Sequence, residues 1–340
     1  MGFFSFTQDL AMDLGTANTV IIYKGEIVIN EPSVVAIDSE TGKVVAVGSK
    51  AKLMYEKSNN KLQVIRPLKN GVIADFYACE QMIRSFIKMV DFGHHLFSPS
   101  LKMVIGVPSG STEVELRAVR DSAEHAGGRE VYLLFEPMAA AIGVGLDVVA
   151  PEGNMVVDIG GGTTEIAVIS LGNIVTNSSI KLAGDDFTFD IQEYMSRQHN
   201  IRISERMAER IKIKVGSALT DLGEEAPNDY IVHGPNKITA LPMEIPVCYQ
   251  EIAHCLDKSL ARMESAILSA LEQTPPELYA DIVKNGIYIT GGGALLKGLD
   301  KRLKNRLNIN FIVAENPLLC VAKGAGMALE NIEGYPFLTK

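Results

Sequence analysis

Asp13-Leu14-Gly15-Thr16-Ala17-Asn18-Thr19 runs into the apolar stretch Val20-Ile21-Ile22-Tyr23, and the arrangement returns as Asp158-Ile159-Gly160-Gly161-Gly162-Thr163-Thr164 ahead of Ile166-Ala167-Val168-Ile169. Each copy reads as strand, Asp, tight glycine turn, strand. One such hairpin is ordinary β-structure, because glycine turns join strands in many proteins. Two copies, each with an Asp before the turn and a Thr after it, mark an internal duplication: two related halves meeting at a cleft, with the boundary near Pro151-Glu152-Gly153. The surrounding chain alternates β-branched runs with helical periodicity, the pattern of an α/β protein. Strand candidates are Leu10 to Met12, Val20 to Tyr23, Val34 to Ile37, Lys102 to Val107, Asn154 to Asp158, Ile166 to Ser170 and Ile287 to Thr290. The capping box Thr112-x-x-Glu115 opens a helix to about Ala126, where Gly127-Gly128 stops it. A stripe of Ile252, Leu256, Leu260, Met263, Ile267 and Leu271 predicts a helix from about Tyr249 to Gln273, ended by Pro275-Pro276. Another is predicted from Ser204 to about Leu219.

With 340 residues the chain is long enough for two domains with sizeable cores. Its 47% hydrophobic and 21% charged content, with 30 Gly and 14 Pro, excludes a disordered or collagen-like chain. The net charge of -9, from 32 basic and 41 acidic residues without a long Lys/Arg block, argues against a nucleic-acid partner. No apolar run approaches the ~20 residues of a bilayer span; the longest, around Met138 to Leu146, is broken by glycines. Met1-Gly2-Phe3-Phe4-Ser5-Phe6 lacks the basic start of a secretory signal, and Phe6 stands where myristoylation needs Ser or Thr, so a cytoplasmic protein is expected. Cys79, Cys248, Cys255 and Cys320 form no C-x-x-C pair, and only Cys255 lies beside a histidine, His254; all four read as reduced core thiols.

Glycine turns let backbone N–H groups converge into a concavity that binds phosphate oxygens. Thr16, Ala17 and Asn18 would cradle one side of a triphosphate, and Gly160, Gly161, Gly162 and Thr163 the other. Asp13 and Asp158 then face the same place from both halves. Two carboxylates beside polyphosphate suit Mg²⁺, although each Asp alone would also cap its own turn. A third cluster, Thr290-Gly291-Gly292-Gly293-Ala294-Leu295-Leu296, follows a strand and leads into a helical pattern, giving a flat place for an adenine ring or an α-phosphate. Glu209 and Lys212, three apart on a helix, share a face and suit either ribose hydroxyls or a solvated ion pair. Glu136 precedes Pro137 at a helix start, where a carboxylate caps the helix or, facing the cleft, acts on the water that attacks a γ-phosphate.

The strings Asp13 to Thr19, Asn30-Glu31-Pro32-Ser33-Val34, Gly71-Val72-Ile73-Ala74-Asp75, Glu136 to Ala141, Asp158 to Glu165, Thr274-Pro275-Pro276-Glu277-Leu278 and Thr290 to Leu295 resemble the MreB family of bacterial actin homologues, from about Met12 to Met327. The resemblance implies an α/β, actin-like fold: two duplicated ribonuclease H-like domains around a nucleotide cleft, in four subdomains. Domain I would span 1–150 with a small subdomain at about 33–66, domain II 151–324 with one at about 180–246, and 325–340 would return to domain I. It also implies ATP and Mg²⁺ in the cleft and an ATPase activity coupled to polymerisation. Filaments of the chain itself would lie at the inner face of the cell membrane, with membrane proteins of the cell-wall elongation machinery as partners and rod shape as the outcome. By position, the implied nucleotide contacts are Thr16, Ala17, Asn18, Gly160, Gly161, Gly162, Thr163, Glu209, Arg210, Ile211, Lys212, Gly292, Gly293, Ala294 and Leu295. Glu136 with Thr163 would position the lytic water, and Asp13 and Asp158 would hold Mg²⁺ through water.

One stretch departs from the family, between Thr220 and Val247, where Ala240-Leu241-Pro242-Met243 replaces a common Gly-Leu-Pro-Arg turn. The resemblance marks Phe3, Phe4 and Phe6, and also Leu96 and Phe97, as membrane-inserting; the same residues would alternatively pack on their own domain. A small-molecule kinase of the same superfamily would need a further base for its acceptor hydroxyl, and no motif nominates one. A heat-shock chaperone would need a longer ATPase region and a peptide-binding domain.

Overall fold

The first half opens with an antiparallel meander of β1 (Thr7–Leu14), β2 (Asn18–Tyr23) and β3 (Glu26–Pro32). A computed structural model of the chain describes residues 7–55, 57, 61–92 and 100–340. After β3 come β4 (Val35–Asp38), β5 (Val44–Val47), α1 (Gly48–Met54) and β6 (Leu62–Ile65), whose strands form a separate small sheet in the order β5-β4-β6. A ribbon of β7 (Leu68–Lys69) and β8 (Val72–Ile73) leads to α2 (Phe76–Met89), β9 (Ser100–Val107), α3 (Glu113–His125), β10 (Gly128–Phe135) and α4 (Glu136–Gly143). The main sheet runs β10-β9-β1-β2-β3, with β10, β9 and β1 parallel. Because elements cover both faces of β1, Leu10, Ala11 and Met12 are all fully buried rather than alternating. Asp75 caps α2 by accepting from Ala78 N at 2.9 Å, and the Thr112–Glu115 box caps α3 as its sequence predicts.

The second half repeats the plan: β11 (Asn154–Ile159), β12 (Thr164–Ser170), β13 (Asn173–Ile180), α5 (Gly184–Gln198), α6 (Glu205–Val215), the hairpin β14 (Tyr230–Pro235) and β15 (Pro242–Val247), α7 (Tyr249–Glu272), α8 (Pro276–Asn285), β16 (Ile287–Thr290), α9 (Leu299–Leu307), β17 (Phe311–Val313) and α10 (Cys320–Glu330). Its sheet order, β13-β12-β11-β16-β17, matches the first sheet strand for strand: β11 to β13 stand for β1 to β3, and β16 and β17 for β9 and β10. The helices that follow the last strands, α4 and α10, pack on each other between the two sheets. Gly143 and Gly324 make that approach possible, because a Cβ on Gly143 would run into the Cys320 carbonyl and one on Gly324 into the Ala139 carbonyl. Beyond α10, Thr339 bridges to Leu133 of β10.

Three local expectations change. The helix expected to reach Leu219 stops at Val215, because Gly216 turns extended while its N–H still bonds the Lys212 carbonyl, an approach that a Cβ at Gly216 would obstruct. Pro275-Pro276 ends one helix and also starts the next, since a first-turn proline needs no N–H partner. The third glycine cluster opens a single 3₁₀ turn, Gly292–Leu295, with Gly291 at φ 76°, rather than an α-helix. Among the described residues the cysteines are free, as expected; Cys79 and Cys320 are buried, Cys255 is half-buried against the core of the second half, and Cys248 is half-buried. No described helix is long and apolar enough to cross a membrane.

Candidate functional site

The two duplicated turns face each other across a cleft of about 860 Å³. In the first, Ser33 braces the loop: its hydroxyl donates to the Gly15 carbonyl at 2.6 Å and its N–H to the Ala17 carbonyl at 3.0 Å. In the second, the start of α5 does the same work, with Gly184 N–H on the Gly160 carbonyl at 3.1 Å and Asp185 N–H on the Gly161 carbonyl at 2.7 Å. The turns nearly touch. A Cβ on Gly161 would lie 2.8 Å from the Ala17 Cβ, and one on Gly162 would lie 2.9 Å from the Asn70 backbone. Thr16 Oγ1 accepts from Gly71 N–H at 3.0 Å, tying the β7–β8 turn to the first loop. Side chains at these glycines would fill the concavity that a phosphate chain needs.

Four carboxyl groups gather beside the turns. Asp13, near the end of β1, and Asp158, near the end of β11, both line the cleft, and Asp158 accepts from Thr290 Oγ1 at 2.7 Å. Glu136, in the first turn of α4, is buried and lines the cleft with them, while Glu165 is fully buried next to Asp158 in the sheet. Burial, and then the charge of Asp158, pushes the Asp13 carboxyl up to about 7. Burial and Glu165 push Asp158 to about 6 against the lowering bond from Thr290. Glu136 rises well above the ordinary carboxylate range, first from burial and then from Asp13, Glu165 and Asp158. Acids that raise one another in this way suit a cation between them. Among the described residues, no group of three or more His, Cys, Asp or Glu is placed to hold a metal by itself. One or two carboxylates with phosphate oxygens and water are what Mg²⁺ takes.

Beside the start of α5, which braces the second turn, α6 presents Glu209 and Lys212 to the cleft. Lys212 Nζ sits 2.6 Å from Glu209 Oε2 and donates to the Gly184 carbonyl at 2.7 Å; Thr188 donates to Glu209 Oε2 at 2.6 Å. Burial alone would raise the Glu209 carboxyl, but the Lys212 ammonium and these hydrogen bonds hold it below its usual range. Gly292, Gly293 and Leu295 also line the cleft, and Leu295, Leu318 and Ile213 leave more than half of their surface exposed there. Such exposed apolar side chains suit a flat aromatic ring. Arg210 also lines the cleft. Ile211 and Ala294 do not: both are buried in the core of the second half, because a contiguous run on a helical turn sends every third or fourth side chain inward. Their side chains are therefore not site groups. Phe3, Phe4, Phe6, Leu96 and Phe97 lie outside the described residues.

Sequence reasoning missed the mouth of the cleft. Arg66, at the end of the small β4–β6 sheet, reaches across to the second half: Nη1 lies 3.0 Å from Asp185 Oδ2 and Nη2 2.6 Å from Glu205 Oε1. Tyr55 donates to Glu205 Oε2 at 3.3 Å, with the guanidinium 5.9 Å from its ring centre. No local pattern announces these partners, which are joined only by the fold.

The profile of the family described as MreB/Mbl protein matches residues 7–335. The cell shape-determining protein Mbl of Bacillus cereus is 48% identical over 332 residues, covering 97% of this chain and 98% of the relative. The cell shape-determining protein MreB of Escherichia coli is 48% identical over 333 residues, covering 96% and 95%. Among solved structures, that of MreB 5 of Spiroplasma citri bound to AMPPNP superposes with a TM-score of 0.90 at 32% identity, covering 96% of this chain and 97% of that one. With the duplicated sheets, the facing glycine turns and these matches, the chain has an actin-like fold and belongs to the MreB/Mbl family.

Proposed function

We propose that the protein is an ATP-dependent actin-like filament protein that works at the inner face of the cell membrane and determines rod shape by organising cell-wall synthesis and elongation. The observation that carries this reading is the pair of facing turns, Thr16 to Asn18 and Gly160 to Thr163, with Asp13, Glu136 and Asp158 converging beside them. The AMPPNP bound by the Spiroplasma relative supports a nucleotide there. In this reading domain I covers 1–150, domain II 151–324, and the last residues return to domain I.

The backbone N–H groups of the two turns hold the phosphates. Asp13 and Asp158 would hold Mg²⁺ through water, where the ion would supply neutralisation of phosphate charge. Glu209 and Lys212 take the ribose, while Leu295, Leu318 and Ile213 cover the base. Glu136, with its raised pKa, accepts the proton of the water that attacks the γ-phosphate, and Thr163 orients that water. The protein assembles with copies of itself, and Phe3, Phe4, Phe6, Leu96 and Phe97 anchor the filament in lipid. Membrane proteins of the elongation machinery are its partners, and nucleic acid is not. Sedimentation with ATP at rising protein concentration, with and without liposomes, tests the reading: a pellet appears above a threshold concentration and carries the lipid with it. Phosphate release without any threshold or pellet would refute it.

A further inference from the structure

Glu165 is the second residue of β12 and has no exposed surface. It lies directly across from Asp158 of β11 and from Ser179 of β13, and Asp158 lies across from Thr290 of β16. Thr290, Asp158, Glu165 and Ser179 thus form one polar row across the second sheet. The duplication shows that the hairpin does not require this acid, for the matching position across from Asp13 in the first hairpin is Val20. A carboxylate buried beside other acids is costly unless donors satisfy it. Those donors come largely from the other half of the molecule. Glu165 Oε2 accepts from Ser109 N–H at 3.1 Å and also from the Ser109 hydroxyl, while Oε1 accepts from the Ser179 hydroxyl at 2.6 Å.

Ser109 stands in the turn that leaves β9, closed by Ser111 N–H on the Pro108 carbonyl at 3.2 Å. In the sheet, Val107 at the end of β9 pairs with Phe135 at the end of β10, and Glu136 is the next residue. The turn carrying Ser109 and the helix start carrying Glu136 therefore leave neighbouring strand ends, and fixing one fixes the other. Glu165 is not among the residues that line the cleft. We propose that Glu165 is a positioning residue for hydrolysis: by clamping the Ser109 turn of the first half onto the β11–β12 hairpin of the second, it holds Glu136 in register with Thr163 when the halves close. The assignment rests on the ATPase reading above and deepens it.

Both Ser109 bonds fall on one carboxylate oxygen, which makes the role separable from charge. In Glu165→Gln the amide oxygen can take the Ser109 bonds while the amide nitrogen donates to the Ser179 hydroxyl. Single-turnover phosphate release and nucleotide affinity would be measured for the wild type, Glu165→Ala, Glu165→Gln, Ser109→Ala and Glu136→Ala. Glu165→Ala should slow release about tenfold to a hundredfold, the scale of a misplaced catalytic group. Nucleotide affinity, and pelleting with AMPPNP, should stay within about twofold. Glu165→Gln should recover to within about threefold of the wild type. Ser109→Ala, which keeps the N–H, should fall between the wild type and Glu165→Ala, and it carries the test if Glu165→Ala does not fold. Unchanged release in both Glu165→Ala and Ser109→Ala would overturn the clamp. So would a Glu165→Gln as slow as the alanine variant, since charge alone would then be at work, or a parallel loss of affinity and release. A wild-type protein that releases no phosphate, or one indifferent to Glu136→Ala, would instead refute the ATPase reading and the clamp with it.

Discussion

Replacing Arg66 by Ala removes both ion pairs that, among the described residues, join the end of the β4–β6 sheet to α5 and α6 across the cleft, leaving the Tyr55–Glu205 hydrogen bond. The guanidinium side chain is 30% exposed and its partners Asp185 and Glu205 are 36% and 35% exposed, so solvent screens both pairs. Exposed pairs contribute about 0–1 kcal/mol each, and at this partial burial we take about 0.7–1 for each. Two pairs then favour the closed cleft by about 1.5–2 kcal/mol, which corresponds to a tenfold to thirtyfold shift toward opening at ~1.4 kcal/mol per decade. Left behind, Asp185 and Glu205 also repel each other across the gap. If closure traps the nucleotide, its dissociation from Arg66→Ala should accelerate by about the same tenfold to thirtyfold at low salt. Stopped-flow displacement of a fluorescent ATP analogue measures this directly. Raising the salt should narrow the gap between wild type and variant, because screening weakens the same pairs in the wild type. A dissociation rate within about twofold of wild type at low salt would refute the argument and reduce the contact to a surface ornament of the closed form.

Glu136→Ala should bind ATP as the wild type does yet hydrolyse it about 10²–10⁴-fold more slowly in a phosphate-release assay. Because the Glu136 carboxyl is raised and must lose its proton to act as a base, wild-type hydrolysis should climb with pH through that raised value, and this rise should vanish in the variant. Asp13 is pushed up to about 7, so the nucleotide-free fold binds its proton more tightly than the unfolded chain and loses stability as pH rises from about 4 to 7. Asp13→Asn should therefore melt at a higher temperature than wild type at pH 8, match it near pH 4, and lose Mg²⁺-dependent ATP affinity by calorimetry. Gly324→Ala, whose Cβ would meet the Ala139 carbonyl, should cost about 1–3 kcal/mol of overpacking strain in denaturant unfolding. Deleting residues 2 to 6 and changing Leu96 and Phe97 to Ser should abolish liposome co-sedimentation while leaving filaments intact, with little salt dependence in the wild type because a chain of net charge -9 gains little from anionic lipid.

The features that could be read in advance are those whose cause is local. A glycine turn flanked by Asp and Thr writes its hairpin into about ten consecutive residues, so its repetition exposed the duplication that strand order then displays in both sheets. The Thr112 box and the α7 stripe were legible for the same reason. What could not be read depends on neighbours brought in by the fold. Arg66 finds Asp185 and Glu205 only after the two halves close on each other. Ile211 and Ala294 stand in strings that match the family as a whole, whereas the helical turn aims those two side chains into the core. Glu165 reads as an ordinary strand residue, because nothing nearby in sequence reveals that Ser109 stands against it.

In the proposed function, the duplication explains how one cleft would perform a one-sided reaction. Both halves keep the Asp and the turn, so the phosphate cradle is symmetric. The crossing of α4 on α10 gives the register between the rest: Gly143 meets Cys320 as Gly324 meets Ala139, which matches Gly143 to Gly324 and, by the same offset, Glu136 to Pro317. Glu165 is matched to Val20. Each departure from symmetry thus places a carboxylate in one half where the other half has an apolar residue. One carboxylate faces the cleft from the first half, and its clamp reaches over from the second, so the pair is complete only when the halves are together. The apolar group of Leu295, Leu318 and Ile213 lies in the second half alone, and in the proposed reading that side takes the base. A triphosphate has two unlike ends, and a symmetric cradle would bind it in either direction. With the base site in one half and Glu136 in the other, the proposed reading selects a single direction, with the γ-phosphate at the carboxylate. If the cleft hydrolyses the nucleotide as proposed, domain closure and hydrolysis are coupled, because neither half holds both groups.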